Sequence, residues 1–473
     1  MSNLQKQNIA TEFSVQGLIK RSFLLLMNLS VKLLAQIAVI FIYARKLSMQ
    51  DYGDYQSVWL YINIVSVVGL FGLPSLILSS DSGSILSWIK KNKNTFWVSA
   101  LLLNIIPFLY ILICCSQFNP LIRLILIAMI LAQNSGIILE TLMIKQEQER
   151  IVLGINILFN LCYFAYHIAV LHTGYSLTLL VMGICVFFIT KFLALLFFYS
   201  RLRVNASTTV KSAVGKQWFF LGINDTLGIL FKWLDKWFVL LFISVTQFAV
   251  YFNGSYEIPV FALMLGAVSN IMLVELSKHG SDIAYTKFIF NKSSLLLASI
   301  TFPAFAFLFF YHTDFFTLIF SKKYAEAIPI FLISIFIIPA RITNFTGVLQ
   351  TRHRSDLIVT GAVIDLVIAI ILMFALYPFW GLNGIALAFV VSTYVQATYY
   401  LVKTSQLLNE KIISFFPAFK LAILMTVSLL VIGLVWLLLR QIHFRYNFIA
   451  GIGVTGILCG ALLYYHAKEQ KRV

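Results

Sequence analysis

Residues 421–439 read LAILMTVSLLVIGLVWLLL, a stretch without a charged residue. A helix needs about 20 mainly apolar residues to cross the hydrocarbon core of a bilayer. Residues 446–465, YNFIAGIGVTGILCGALLYY, follow after a short turn and are equally free of charge. This pair predicts two membrane-spanning helices that face lipid. Gly456 and Gly460 form a GxxxG pattern in the second helix, which permits close helix packing there.

Similar apolar segments fill the rest of the chain and predict an all-α integral membrane protein of about fourteen spans. The predicted spans are 22–43, 56–78, 95–115, 120–143, 151–171, 175–199, 219–243, 249–274, 294–311, 325–350, 355–378, 380–402, 417–439 and 446–466.

Composition supports the same class. Hydrophobic residues make up 60% of the chain and charged residues only 11%, whereas soluble domains carry about 25% charged residues. The longest predicted inside loops, 201–218 and 277–293, leave no room for an extramembrane catalytic or nucleotide-binding domain. We therefore expect a protein that is not an enzyme, with no cofactor and no metal site.

The net charge of +17 raises the alternative of a nucleic-acid partner. If the amino terminus is inside, the inside segments hold about three times as many Lys and Arg residues as the outside segments, which is the positive-inside rule. The charge therefore indicates topology, with both termini cytoplasmic, and no nucleic-acid surface.

An internal repeat organises the chain. Residues 47–55 (LSMQDYGDY) align with residues 243–251 (ISVTQFAVY) at an offset of 196, and both follow the first helix of a six-helix block. Such repeats build transporters with two lobes. We predict two pseudo-symmetric six-helix lobes around a central cavity, followed by two accessory helices. The predicted boundaries are 1–200, 215–403 and 417–466.

Positive residues inside the spans are the first candidate site. Charges at mid-bilayer depth are unfavourable and commonly line a cavity or a pathway. On the first span Lys32 shares a face with Asn28 and Gln36, since the three residues repeat every four positions. The alternative for Lys32 is a salt bridge that serves helix packing alone.

The seventh span carries a second charged face, with Lys232 and Lys236 aligned with Asp225. Gly222 and Gly228 flank this face and would let a ligand or a helix approach closely. Asp225 and Asp235 could instead pair with the lysines in a purely structural role.

Arg341, in the tenth span, has the planar fork that binds phosphate oxygens in a bidentate manner. Its obvious structural partner is Asp365 in the next span. Among the carboxylates in spans, Asp225, Glu257 and Asp365 are candidates for ion coupling, although no spacing singles one out.

Uncharged polar faces complete the predicted cavity. Asn156, Asn160, Tyr163 and His167 share one face of the fifth span, and Gln396 belongs to a polar face of the twelfth. Amides and tyrosines suit the hydroxyls and ring faces of carbohydrate. Hydrogen bonds between helices use the same residue types, so each face taken alone has both explanations.

Three motifs resemble a known family. The stretch Ala44-Arg45-Lys46-Leu47-Ser48 with Asp51-Tyr52-Gly53 is similar to the motif before the second helix of polysaccharide flippases, within the multidrug/oligosaccharidyl-lipid/polysaccharide exporter superfamily. Asp235-Lys236 with Ser244 and Tyr251 resembles the counterpart in the second lobe. Residues 381–388 (GLNGIALA) resemble the start of the twelfth helix.

This resemblance implies a flippase that carries undecaprenyl-pyrophosphate-linked oligosaccharide units from the cytoplasmic to the periplasmic leaflet of the bacterial inner membrane, for O-antigen or another surface polysaccharide. Cationic cavity residues would hold the pyrophosphate, and Lys32, Lys232, Lys236 and Arg341 are the matching positions. A polysaccharide polymerase and a chain-length regulator are candidate partners.

Other functions stay open at this point. Many O-antigen flippases have twelve helices, whereas fourteen is the number in the related lipid II flippase. A drug or cation antiporter of the same superfamily is a second alternative and should have an acidic cavity. A membrane polymerase or glycosyltransferase is a third, but such enzymes normally need a large outer loop.

Overall fold

The computed structural model describes residues 15–79, 92–202, 214–278, 282–441 and 444–469. Every regular element in these ranges is a helix, which confirms the predicted all-α membrane class. Nine of the described helical segments are long and apolar enough to cross a membrane. The chain divides into two compact units, residues 1–234 and 235–473, with the boundary inside one helix.

In its described residues the N-terminal unit has seven long helices and one short helix. In chain order they are α1 Val15–Lys46, α2 Met49–Leu70, α3 Leu73–Ser79, α4 Lys93–Cys114, α5 Pro120–Lys145, α6 Glu149–Thr173, α7 Leu177–Ser200 and α8 Val214–Phe242, of which the last turns belong to the second unit.

The C-terminal unit continues from α8 with helices of very different lengths. They are α9 Val245–Gly254, α10 Pro259–Lys278, α11 Ile283–Phe320, a 3₁₀ helix Lys322–Ala327, α12 Ile328–Ser334, a 3₁₀ helix Ile335–Ala340, α13 Gly347–Thr351, α14 Ser355–Leu408, α15 Ile412–Phe415, α16 Ala418–Leu439 and α17 Phe444–Glu469.

The long helix α14 contains the predicted boundary between two spans. Gly381 has φ 55° and ψ −137°, and Pro378 lies three residues before it. Proline removes a backbone donor and glycine adopts positive φ without strain, so the helix breaks there into two membrane-length halves.

Three predicted spans are not continuous helices, and the predictions of 56–78, 249–274 and 325–350 were wrong in this respect. Span 56–78 is broken between α2 and α3, where Phe71 and Gly72 have positive φ. Span 249–274 is interrupted between α9 and α10, where Pro259 begins the second helix. Span 325–350 contains two 3₁₀ segments and an irregular turn before α13. Pro339 lies inside the second 3₁₀ segment and removes an N–H that a continuous α-helix would use.

The two segments of the sequence repeat have the same local structure. Ser48 caps α2 and its hydroxyl oxygen accepts from the N–H of Asp51 at 3.1 Å. Ser244 caps α9 and accepts from the N–H of Gln247 at 3.2 Å. A serine at this position satisfies a backbone donor that the first helical turn leaves unbonded. The sequence repeat at an offset of 196 therefore aligns the starts of two helices, α2 and α9.

The final helices α16 and α17 both pack against α11. Their close contacts are at Gly433, where a Cβ atom would lie 2.6 Å from the ring of Phe310, and at Gly451, where it would lie 2.7 Å from that of Tyr311. A Cβ atom at Gly456 or Gly460 would meet nothing within 4 Å in the described chain. Within the described chain the close packing that the GxxxG pattern permits is therefore not used, and large aromatic residues of α11 contact Gly433 and Gly451 instead.

Candidate functional site: a cationic cavity in the N-terminal unit

A cavity of about 170 Å³ lies in the N-terminal unit between α1, α2, α5, α6 and α7. Five of the predicted residues line it: Lys32, Gln36, Asn156, Asn160 and Tyr163. The other polar and aromatic lining residues are Trp59, Asn63, Gln133, Glu140, Phe159, Phe188 and Lys191.

Charge in this cavity is predominantly positive. Lys191 forms an ion pair with Glu140 at 2.6 Å, and its ammonium lies 4.8 Å from the centre of the Phe159 ring. The exposed Lys32 has no hydrogen-bond or ion-pair partner among the residues that the structure describes. It lies within electrostatic range of Lys191, Glu140 and Lys232. The carboxylate therefore offsets only part of the lysine charge.

Hydrogen bonds fix the direction in which one cavity amide points. The hydroxyl of Ser66 donates to the amide oxygen of Asn134, whose nitrogen donates to the Ser66 carbonyl at 3.3 Å. The Ser66 oxygen can therefore only accept from the Gln133 nitrogen, at 3.4 Å. The Gln133 amide oxygen is buried and has no partner in the described part of the chain. Gln133 thus carries a buried acceptor without a described partner next to the cavity that its side chain lines.

Two other amides are oriented by their own helices. Asn63 donates to the Trp59 carbonyl at 2.7 Å, and Asn160 donates to the Asn156 carbonyl at 2.6 Å. Each bond uses one amide N–H on the carbonyl one turn earlier. The amide oxygens of Asn63 and Asn160 accept no hydrogen bond from the residues that the structure describes, and with Gln133 they suit a ligand that is rich in hydroxyl donors.

His167 supports this wall but does not line the cavity. Its side chain is fully buried, and its Nδ1 donates to the carbonyl of Tyr163 at 2.7 Å. Its Nε2 lies 3.4 Å from the Tyr55 hydroxyl, which lies 3.3 Å from that of Tyr163. Two residues of the predicted α6 face therefore have different roles. Tyr163 lines the cavity, and His167 supports the cavity wall through its hydrogen bonds.

On α8 the predicted charged face does not form one cluster. Asp225 accepts a hydrogen bond of 2.7 Å from Ser75 of α3, so its partner is a hydroxyl and not a lysine. Lys232 is exposed, with its ammonium 5.6 Å from the Trp233 ring centre. Gly222 is in close contact with the ring of Phe71. The close approach that the sequence predicts at this glycine is therefore made by another segment of the chain itself.

The remaining predicted cations line a smaller pocket of about 40 Å³ in the C-terminal unit. Lys236 pairs with Asp235 at 3.2 Å, and the Tyr251 hydroxyl donates to the same carboxylate at 3.0 Å. Arg341 pairs with Glu257 at 2.5 Å. Lys236 therefore pairs with Asp235, as the structural alternative for this lysine predicted. The predicted pairing of Arg341 with Asp365 was wrong, because Arg341 pairs with Glu257.

Asp365 and Gln396, like His167, Asp225 and Lys232, are not among the residues that line the two cavities. Asp365 is buried on α14, and Gln396 donates to the Gly361 carbonyl at 3.5 Å, between the two halves of that helix. The side chain of Asn28 lies outside the described residues. Among the described residues no group of three or more His, Cys, Asp and Glu side chains could hold a metal ion.

Sequence reasoning missed Glu140 and Lys191 as a pair, and it missed Gln133. All three lie in predicted spans, where a charge or an amide is a signal in itself. These residues meet only through the tertiary packing of α5 against α7, and no spacing in the sequence shows that packing.

Solved structures of membrane transporters share this fold. The lipid II flippase MurJ in an inward closed conformation superimposes with a TM-score of 0.70 and 15% identity, covering 95% of this chain and 99% of that one. A multidrug resistance MATE family transporter of the MOP superfamily, in an inward-facing conformation, gives 0.54 and 12%, covering 81% and 98%.

A third similar structure is a MOP superfamily transporter from Pyrococcus furiosus, described as having a binding pocket of reverse polarity that suggests a different function. It gives a TM-score of 0.54 and 12% identity, covering 83% of this chain and 95% of that one. No protein-family model matches the chain, and no curated protein sequence matches it. At these identities the likeness shows the fold, that of a multi-pass membrane transporter.

Proposed function

We propose that this protein is a flippase of the MOP superfamily that moves an undecaprenyl-pyrophosphate-linked oligosaccharide from the cytoplasmic to the outer leaflet of the bacterial inner membrane. The observation that carries the proposal is the ammonium of Lys32, which has no partner among the described residues and shares a cavity with Lys191 and one described carboxylate. A cavity of this charge suits a phosphate-bearing ligand.

The rest of the lining fits the glycan part of such a ligand. Amide oxygens of Asn63, Gln133 and Asn160 offer acceptors to sugar hydroxyls, and Trp59 and Tyr163 offer aromatic faces to sugar rings. Crossing about 30 Å of hydrocarbon would leave every sugar hydroxyl without a partner, at several kcal/mol each. A polar cavity offsets that loss while the lipid tail stays in the bilayer.

The fold comparison supports a lipid-linked substrate, since the MurJ structure is named for its lipid II flippase activity. We propose that the chain works by alternating access of two six-helix lobes, residues 1–200 and 215–403, with 417–466 as accessory helices and both termini cytoplasmic. The protein would move its substrate without a chemical reaction at the site. A polysaccharide polymerase and a chain-length regulator would act on the delivered glycan.

A drug or cation antiporter is the second candidate, because MATE transporters share the fold. The excess of lysine over carboxylate in the N-terminal cavity disfavours a cationic substrate. Pocket polarity is variable within this fold, as the description of the Pyrococcus furiosus transporter indicates. The charge of the cavity is therefore a better guide to the type of substrate than the fold is.

Deleting the gene in its own host and extracting the polyprenyl-linked glycans tests the function. We expect one lipid-linked oligosaccharide to accumulate on the cytoplasmic leaflet, and its sugars would identify the pathway. Accumulation of lipid II would instead assign the lipid II alternative. An unchanged glycan pool with increased sensitivity to cationic drugs would assign the antiporter.

Alanine variants test the cationic site. Lys32→Ala and Lys191→Ala, which remove the two lysines of the N-terminal cavity, should each reduce glycan export while the protein stays in the membrane at normal level. Normal export in both variants would remove the cationic-cavity hypothesis.

A further inference from the structure

The Lys191–Glu140 pair lies inside the N-terminal cavity. Glu140 lies two helical turns after Gln133 on α5, so the two residues share the face that lines the cavity. The side chains of Lys191 and Glu140 are 16% and 19% exposed. The pair is therefore shielded from bulk solvent but open to a ligand in the cavity.

A diphosphate ligand needs more than the free Lys32. It carries two adjacent phosphate groups, and cations in such sites bind phosphate oxygens by charge-assisted hydrogen bonds. The second ammonium that the cavity offers is Lys191, and Glu140 already holds it at 2.6 Å. A carboxylate at this distance occupies the position on the ammonium that a phosphate oxygen would take.

We propose that Glu140 is an internal competitor of the substrate: the diphosphate displaces its carboxylate from Lys191 and then binds between Lys32 and Lys191. This inference rests on the proposed function for the source of the diphosphate, but the exchange itself concerns any diphosphate. Glu140 thereby weakens binding and favours release, because the carboxylate returns to Lys191 when the ligand leaves.

Titration of inorganic pyrophosphate into the purified full-length protein in detergent tests the exchange. We expect Glu140→Gln to bind pyrophosphate roughly tenfold more tightly than the wild type, since about 1.4 kcal/mol of competing interaction is lost. Lys191→Gln and Lys32→Gln should each weaken binding by a similar factor. Glu410→Gln is the matched control, because it breaks the Lys287–Glu410 ion pair of 2.7 Å far along the chain and should leave binding unchanged.

Glu140→Asp separates partner exchange from simple charge. The shorter side chain keeps the negative charge but draws the carboxylate back from Lys191, so the exchange predicts tighter binding in this variant too. If Glu140→Asp binds pyrophosphate like the wild type while Glu140→Gln binds it more tightly, Glu140 acts only through the electrostatic field of its charge. The proposed exchange of partners on Lys191 is then wrong. Unchanged or weaker binding in Glu140→Gln also overturns it.

The binding assay and the gene deletion fail independently. If no lipid-linked glycan accumulates but both Glu140 variants bind pyrophosphate more tightly, the exchange stands for another diphosphate and the flippase proposal falls. If the glycan accumulates and neither variant binds more tightly, the function stands and the competitor role falls.

Discussion

Nη2 of Arg341 lies 2.5 Å from Oε1 of Glu257, 84 residues earlier in the chain. Both residues occupy interruptions in the helices. Glu257 lies between α9 and α10, and Arg341 follows the second 3₁₀ segment. The two breaks place the charges at one pocket of the C-terminal unit. The ion pair is therefore a consequence of the proline-interrupted spans.

Separate neutralisation of the two partners should have unequal effects. Arg341 and Glu257 are 29% and 39% exposed, so the pair contributes at most about 1 kcal/mol to stability. We expect Glu257→Gln to leave the melting temperature nearly unchanged and to retain export. Arg341→Gln should also stay folded but lose export, because it removes an anion-binding group. Thermal melts in detergent and glycan export measure the two effects, and equal loss of export in both variants would show that the intact pair is what matters.

The sequence was sufficient for the all-α membrane class and for the repeat at Ser48 and Ser244, because hydropathy and helix capping are local properties. It was insufficient for the partners of charged residues. Asp365, in the next predicted span, was the partner expected for Arg341, yet the broken helices bring Glu257 to it instead. Lys191 and Glu140 belong to helices whose contact only the folded protein defines, which is why the pair inside the cavity was missed.

Gly72 should be intolerant of a side chain. It has φ +71°, and a Cβ atom there would lie 2.6 Å from the carbonyl carbon of Leu221. Gly72→Ala combines backbone strain with a backbone clash, so we expect a loss of about 1–3 kcal/mol in the free energy of unfolding. Gly228→Ala is the control, since a Cβ atom there would meet nothing within 4 Å. It should raise stability slightly through helix propensity. Chemical denaturation in mild detergent compares them, and equal stability of both variants would contradict the tight turn.

Glu410 should make the stability of the C-terminal unit depend on acidity. The hydrogen bond from Lys287 lowers the pKa of the Glu410 carboxyl below its ordinary value, with a smaller contribution from Ser414. A depressed pKa means that the folded state favours the ionised form. Its stabilising contribution is therefore present above the unfolded pKa of about 4.3 and is lost as the pH falls through the lower folded value.

We expect the melting temperature of the wild type to exceed that of Glu410→Gln at pH 7, and the difference to shrink as the pH is lowered below about 4. Melting curves of both proteins at matched ionic strength measure this difference. A difference that is constant between pH 7 and pH 3.5 would assign the effect of the substitution to something other than the carboxylate charge.

Gln133 should determine how well the cavity accepts hydroxyl-bearing ligands. Its nitrogen is held by Ser66, so its oxygen is a buried acceptor without a partner in the described chain. Such an oxygen loses about 1–3 kcal/mol when it stays unbonded, and a sugar hydroxyl would recover that energy on binding. Gln133→Leu removes the acceptor and should reduce glycan export by roughly tenfold at low substrate supply.

Two comparisons separate this role from a loss of folding. Gln117→Leu removes a glutamine that donates to Ser57 at 3.1 Å outside the cavity lining, and export should be unchanged. Pyrophosphate binding by Gln133→Leu should equal that of the wild type, because the acceptor addresses the sugar and the lysines address the phosphate. Loss of pyrophosphate binding in Gln133→Leu at normal protein level would contradict this division, since one amide acceptor has no favourable contact to offer an anion.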